Sequence, residues 1–339
     1  IPDFNRYIEP FFGGGAVFFK LRPQNAYIND ISELLMNFYR LIQNQDPSLR
    51  NYLISYNTTF QSLLKNTDIY YESILNCYNN NGNVSIEQLV NNIINASTFD
   101  HTIILNRSDY VENIIQMVTD KFQRTRRNNE KKPFSDEDLK NNLKTGFLSG
   151  YYMYFRDIYN KLALGEISMS IAYTVANFYF IREYCYGSMF RYNAKGEFNI
   201  PYGGISYNNK NFMHKINNLF NSEIKELFEN VYIYNMDFEI FINQLTLTEN
   251  DFIFLDPPYD TEFSDYEGRD FTKEDQQRLA NILRQTQANF ILIIKNTDFI
   301  LNLYENHFRI LTFNNSYTYN VRSRNDRDVE HLIVTNIPE

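Results

Sequence analysis

The sequence predicts an α/β fold in which an open sheet, built from the two ends of the chain, is interrupted by a mainly helical insertion. Two patterns point there. Short apolar stretches bounded by polar, Gly or Pro residues run from Tyr7 to Pro10, Asn25 to Ile28, Val231 to Tyr234, Phe252 to Leu255, Phe290 to Ile294, Phe308 to Phe313 and His331 to Thr335, and they alternate with helical segments. Between about residues 51 and 224 that alternation lapses into helical character. The expected division is therefore 1–50 with 225–339 for the sheet, and 51–224 for the inserted lobe.

Taken in order, the first strand runs into Glu9-Pro10-Phe11-Phe12-Gly13-Gly14-Gly15-Ala16 and then apolar Val17-Phe18-Phe19, a strand-to-helix turn. The second ends at Asp30, ahead of a helix carrying Leu34 and Leu35. The clearest helix starts at Thr272, where Thr-Lys-Glu-Asp forms a capping-box pattern and Leu279, Ile282 and Leu283 follow on one face. No internal repeat is found, and Asn79-Asn80-Asn81-Gly82-Asn83 reads as a loop.

Composition narrows the classes. With 339 residues the chain suits two lobes, or one core with a large insertion. Hydrophobic residues make up 43%, but no apolar run approaches the ~18 residues of a membrane span, so no membrane partner is expected. The start shows no basic segment followed by an apolar one, and Cys77 and Cys185 are too few for a disulfide framework, which together suggest a cytoplasmic protein. His101, His214, His307 and His331 are scattered and no CxxC pair exists, so no metal is expected. The net charge of −9 runs against a polyanionic partner, yet basic stretches occur at Lys121, Arg124, Arg126, Arg127, Lys131 and Lys132, and at Arg322, Arg324 and Arg327. Each is either a solvated face or a phosphate contact.

Two motifs carry chemistry. Three consecutive glycines clear a turn of side chains and let backbone amides approach a small molecule, although a purely structural tight turn has the same appearance. Fifteen residues beyond Gly15, Asp30 stands at a strand tip, where it can accept from ribose hydroxyls or cap the following helix. The second motif is more specific: the apolar strand Asp251 to Leu255 ends in Asp256-Pro257-Pro258-Tyr259. Neither proline can donate, so the turn is rigid and leaves the Pro257 carbonyl free to accept. The Asp256 carboxylate beside it adds acceptors for an NH₂ group, and Tyr259 presents a face for stacking a base.

These motifs resemble those of the Dam-type family of DNA adenine methyltransferases, in which a Pro-Phe-x-Gly-x-Gly turn precedes Asp-Pro-Pro-Tyr. Asn29-Asp30-Ile31 is similar to the family's ribose-binding segment, Asp237-Phe238 to its pair on the donor's adenine, and Phe271 to Gln276 to the helix start after the catalytic loop. The run from Tyr186 to Gly203, with Arg191-Tyr192-Asn193 and Gly196-Glu197-Phe198-Asn199-Ile200-Pro201, is similar to its DNA-recognition hairpin. The resemblance covers roughly residues 1–45 and 147–339, leaving about 51–146 unassigned. Where family members commonly have Asn-Gly in the hairpin, this chain has Gly187-Ser188. A Lys-Trp-x-Gly-Gly-Lys-like segment that contacts the cofactor normally stands upstream of where this sequence starts, so either such a segment precedes residue 1 or the pocket lacks that contact.

The resemblance implies a Rossmann-like methyltransferase sheet with an inserted helical DNA-recognition lobe, acting on duplex DNA with S-adenosyl-L-methionine as cofactor. A restriction endonuclease is an expected partner. Pro10 to Gly15, Asp30, Asp237 and Phe238 would bind the donor. Asp256, Pro257, Pro258 and Tyr259 would be catalytic; Tyr186, Arg191, Asn193 and Asn199 would contact DNA. Adenine's exocyclic amine is a poor nucleophile because its lone pair is delocalised, and acceptors on its N–H groups raise electron density as it attacks. The base must leave the duplex to reach them, and the Thr261 to Asp270 segment would wall it in. Arg191 would read guanine through its planar fork, grip phosphate, or close the hairpin on Glu197. An RNA adenine methyltransferase and an inactive DNA-binding relative are the alternatives; Asp30, Asp237 and Asp256 argue against the second.

Overall fold

The computed structural model describes all residues except 81–83, 190, 259–270, 317–327 and 339. The chain forms two compact units, Ile1–Asn44 with Ser222–Glu339, and Gln45–Asn221. The first boundary falls just ahead of a helix that starts at Pro47, where Asp46 accepts from the Leu49 amide over 2.8 Å and the proline occupies the first turn.

In the first unit each expected strand is present, with its ends displaced by a few residues: β1 Arg6–Glu9, β2 Ala26–Asn29, β3 Val231–Tyr234, β4 Asp251–Leu255, β5 Asn289–Lys295, β6 Arg309–Ser316 and β7 Asp328–Thr335. They form one sheet in the order β3-β2-β1-β4-β5-β7-β6. The first five are mutually parallel, Ile8 lying opposite Tyr27 on one side and Ile253 on the other. β7 runs antiparallel between β5 and β6. All five residues of β4 are buried, as a central parallel strand covered on both faces requires. Helices α1 (Ala16–Leu21) and α2 (Glu33–Gln43) follow β1 and β2.

The second unit, residues 45–221, carries no strand among its described residues. Its helices are α3 (Pro47–Ile69), α4 (Tyr71–Tyr78), α5 (Ile86–Ala96), α6 (Arg107–Lys131), α7 (Asp136–Ala163), α8 (Ile171–Tyr184) and α9 (Phe212–Leu219). α6 and α7 lie close enough that a Cβ on Gly150 would come within 2.4 Å of the Ile114 Cα. Tyr56, Phe60, Tyr151, Phe155 and Phe180 pack, mostly edge to face, into an aromatic core between α3, α7 and α8, which buries much apolar area per residue. No helix of the described residues is long and apolar enough to cross a membrane.

The first unit resumes with α10 (Ser222–Leu227), α11 (Phe238–Asn243), α12 (Lys273–Gln285) and α13 (Asp298–Tyr304). Phe241, Leu279, Leu283, Ile300 and Tyr304 from three of them join Ile8, Ile253, Leu255, Phe290, Leu292 and Ile294 of the sheet in one buried core.

Candidate active site

The strand order reverses between β1 and β4: from β1 the chain winds outward through β2 and β3, and from β4 through β5. Loops at such a switch point diverge and leave a crevice at the strands' C-terminal ends. The Gly-rich turn follows β1, and Asp256-Pro257-Pro258 follows β4, so the two motifs line that crevice.

The Gly-rich turn is held from below. Gly15 has φ 65°, and a Cβ there would lie 2.6 Å from Cζ of Phe12, whose buried ring packs on Phe18 and Tyr39. The Phe12 side chain therefore belongs to the core, leaving its backbone to line the crevice. Phe11 instead packs tilted against Phe238 and edge-on against Phe271. The Pro10 carbonyl accepts from Asn29 Nδ2 over 3.0 Å, and that same buried amide group also donates to the Met236 carbonyl and accepts from the Met236 amide. Asn29 thus ties the loops after β1 and β3 to the end of β2, a role not visible in its sequence context. Gly14 is exposed, and its amide has no hydrogen-bond partner among the described residues.

Asp30 accepts from the Gly13 amide through Oδ2 at 2.8 Å and from the Ser32 amide through Oδ1 at 3.0 Å. The alternative of Asp30 as helix cap is corrected here: Ser32 is the N-cap of α2, its hydroxyl accepting from the Leu35 amide. Asp30 thereby fixes the Gly-rich turn to the loop that follows β2.

Glu9, which the sequence did not single out, ends β1 with 2% of its surface exposed and accepts from the Tyr7 hydroxyl over 2.7 Å. Burial, opposed by the Tyr7 hydrogen bond and reinforced by the nearby Asp256 and Asp30 charges, raises its carboxyl to about 8. Asp256 is open to solvent on one side, yet desolvation by the surrounding protein raises its carboxyl above the ordinary Asp value, with the His331 charge pulling the other way. The charges of Asp30 and Asp256 thus help to hold the proton on Glu9. No hydrogen bond to the Pro257 carbonyl is found among the described residues, whereas the Pro258 carbonyl accepts from Gln276 Nε2 at 3.1 Å. Tyr259 and the Thr261–Asp270 segment lie outside the described residues.

Asp237 is the N-cap of α11, its Oδ1 accepting from the Glu239 and Ile240 amides. The same Oδ1 meets Arg278 Nη2 at 2.7 Å, while Arg278 Nε reaches Glu239 at 2.6 Å and Nη1 reaches Asp275 at 2.6 Å. The guanidinium carbon lies 4.8 Å from the centre of the Phe238 ring, a cation–π distance. Arg278 and Gln276, which touch Asp237, Phe238 and Pro258, were not named from the sequence; only their place in the first turns after the Thr272 cap offered a hint.

In the second unit, Tyr192 and Phe198 form an antiparallel bridge that makes residues 191–199 a hairpin, fixed to α7 by paired bonds between Asn160 and the Phe198 backbone and by the Tyr159 and Tyr192 hydroxyls at 2.9 Å. Asn193 builds the turn: Oδ1 accepts from the Lys195 and Glu197 amides and Nδ2 donates to Glu197 Oε2. The alternative of an Arg191–Glu197 pair is thereby corrected, since Glu197 is engaged by Asn193, and exposed Arg191 donates through Nε to Asn199 Oδ1 at 3.0 Å. Tyr186 is 39% exposed beside Gly187, whose φ is 64°. Of the basic stretches, the first lies at the end of α6, where Arg126 turns onto the Tyr78 ring and carbonyl; the second lies outside the described residues. No group of three or more His, Cys, Asp or Glu able to hold a metal occurs among the described residues.

A switch-point crevice with a bare glycine turn on one side and an acceptor-rich Asp-Pro-Pro turn on the other, in a seven-stranded sheet with an antiparallel β7, defines a Rossmann-like methyltransferase. The chain belongs to the D12 class of N6 adenine-specific DNA methyltransferases, whose family model matches residues 1–144 and 90–319. It is similar to the Type II methyltransferase M.CviBI of Paramecium bursaria Chlorella virus NC1A, 32% identical over 48% of this chain and 60% of that protein. It is also similar to the Type II methyltransferase M.MjaIII of Methanocaldococcus jannaschii, 27% identical over 89% of this chain and 78% of that protein. A third, the Type II methyltransferase M1.LlaDCHI of Lactococcus lactis subsp. cremoris, is 23% identical over 98% and 87% respectively.

Proposed function

We propose that this chain transfers the methyl group of S-adenosyl-L-methionine to the N6 amine of an adenine flipped out of duplex DNA, within a specific site. The observation that carries the reading is the pairing of the two turns across the switch point, with the Gly13 amide fastened to Asp30 on one side and Asp256-Pro257 on the other. The donor fits what is present. The open Gly14 amide suits a carboxylate, Asp30 just after β2 stands where a ribose would lie, and the Asp256 carboxyl suits a molecule bearing ammonium and sulfonium charges. Phe238 and Asp237 would hold its adenine. When bound, the donor supplies a methyl group already activated by its sulfonium.

The chain's own task is alignment. Asp256 and the Pro257 carbonyl accept from the adenine amine and draw electron density to its nitrogen as it attacks, in line with the departing sulfur. The amine proton lost after transfer passes to solvent or to Asp256, which its raised pKa equips to receive it. Tyr259 would stack on the flipped base. On the second unit, Arg191, oriented by Asn199, would read a guanine; Tyr186 would fill the stack, and Asn193 would act by shaping the turn. The relatives named as Type II methyltransferases favour a modification enzyme, for which a cytoplasmic location and a restriction endonuclease partner are proposed. A transfer assay with tritiated donor on duplex DNA and on RNA tests the reading: incorporation into RNA alone would replace DNA as substrate, and none into either would remove the activity.

A further inference from the structure

We propose that Gln276 is a positioning residue for methyl transfer and that, with Arg278, it makes the start of α12 the brace that holds the acceptor turn in register with the donor pocket. The inference rests on the reading of the two turns given above. Gln276 is fully buried, and its Nε2 donates to the Pro258 carbonyl at 3.1 Å. The pyrrolidine ring already sets φ of Pro258; a fixed carbonyl sets its remaining torsion, so the peptide planes on either side of it become immobile. The Pro257 carbonyl, one residue earlier, is then aimed rather than merely rigid.

Packing alone does not account for a glutamine here. Its Oε1 is buried and meets no donor among the described residues. Leucine would fill much of the same space without that unpaired oxygen, so the amide is retained at a cost that its bond to Pro258 explains. Two residues on, Arg278 reaches the other half of the site through Asp237, Glu239 and the Phe238 ring. The helix start itself is fixed by the reciprocal Thr272–Asp275 capping box, and Asp275 is also the third carboxylate on Arg278. Acceptor turn, helix cap and donor pocket are thus connected through two side chains.

The test measures single-turnover methyl transfer from tritiated donor, donor affinity by calorimetry and melting temperature for Gln276→Leu, Gln276→Glu and Asp237→Ala. Gln276→Leu is expected to transfer roughly tenfold to a hundredfold more slowly with donor affinity unchanged, because only the acceptor alignment is lost. Gln276→Glu can donate to the Pro258 carbonyl only when protonated, and full burial raises a carboxyl by up to about 3–5 units, so its rate relative to the natural protein should climb as pH falls from about 8 to about 6. A natural rate in Gln276→Leu overturns the proposal; should that variant not fold, a flat pH ratio in Gln276→Glu overturns it. Asp237→Ala separates the two layers: unchanged donor affinity there sinks the donor-pocket reading while leaving the role of Gln276 to its own result.

Discussion

The Tyr7 hydroxyl donates to the Glu9 carboxyl over 2.7 Å at the buried end of β1, directly beneath the crevice. That pair makes the site's charge dependent on pH. A buried carboxyl raised to about 8 keeps its proton in the folded state while the unfolded chain ionises near the ordinary value of 4.5. Its stabilising contribution is complete below 4.5 and is lost as pH rises toward about 8. Glu9→Gln should therefore flatten the decline of melting temperature across that window, by on the order of a few kcal/mol of stability at the alkaline end. A pH profile identical to that of the natural protein would show that Glu9 titrates normally.

Asp256→Ala is expected to abolish methyl transfer while leaving donor affinity largely intact, since Asp256 is proposed to accept from the reacting amine. Asp256→Asn, whose amide oxygen still accepts, should keep a measurable remainder. The raised carboxyl must be ionised to accept most strongly, so the rate falls as pH drops through its pKa, at a pH above the ordinary Asp range. Rate profiles of both proteins check this: the acid limb should vanish in Asp256→Asn. Near-natural turnover in the Ala variant removes Asp256 from the mechanism.

Calorimetry on Asp30→Ala and Asp237→Ala should show weakened donor binding. Asp30→Ala also releases the Gly13 amide, and Asp237→Ala leaves Arg278 with two carboxylates in place of three. Unchanged affinity in folded variants contradicts both assignments.

Gly15→Ala should destabilise the first unit. The residue would have to adopt φ 65° and place its Cβ 2.6 Å from a buried ring that has little room to retreat. Backbone strain alone costs about 1–3 kcal/mol, which denaturant titration resolves; a midpoint equal to the natural one would mean the turn rearranges freely.

Arg191→Ala should relax preference at one position of the methylated site more than it lowers overall affinity, with a discrimination loss of roughly 1–3 kcal/mol. Asn199→Ala, which removes the acceptor orienting the guanidinium, should do the same to a lesser degree. Sequencing methylated sites from a random library reads the outcome. A uniform fall in affinity with a shallower salt dependence would instead make Arg191 a phosphate contact.

The sequence by itself determined the elements. Seven strands, the capping box at Thr272 and the two turns were legible because each is written in a local pattern: apolar runs between breakers, a hydroxyl three residues ahead of an acid, glycines or prolines that restrict what a backbone can do. Tertiary structure alone decided the strand order that brings Gly13 and Asp256 to one crevice, because pairing between distant strands is set by how faces pack and not by any short-range signal. It also decided between locally equivalent partners. Ser32 rather than Asp30 caps α2, since Asp30 is drawn to the Gly13 amide, and Arg191 turns to Asn199 because Asn193 holds Glu197. Glu9, Gln276 and Arg278 stayed invisible for the same reason: burial beside other carboxyls, a carbonyl 18 residues away and a carboxylate 41 residues away exist only once the chain has folded.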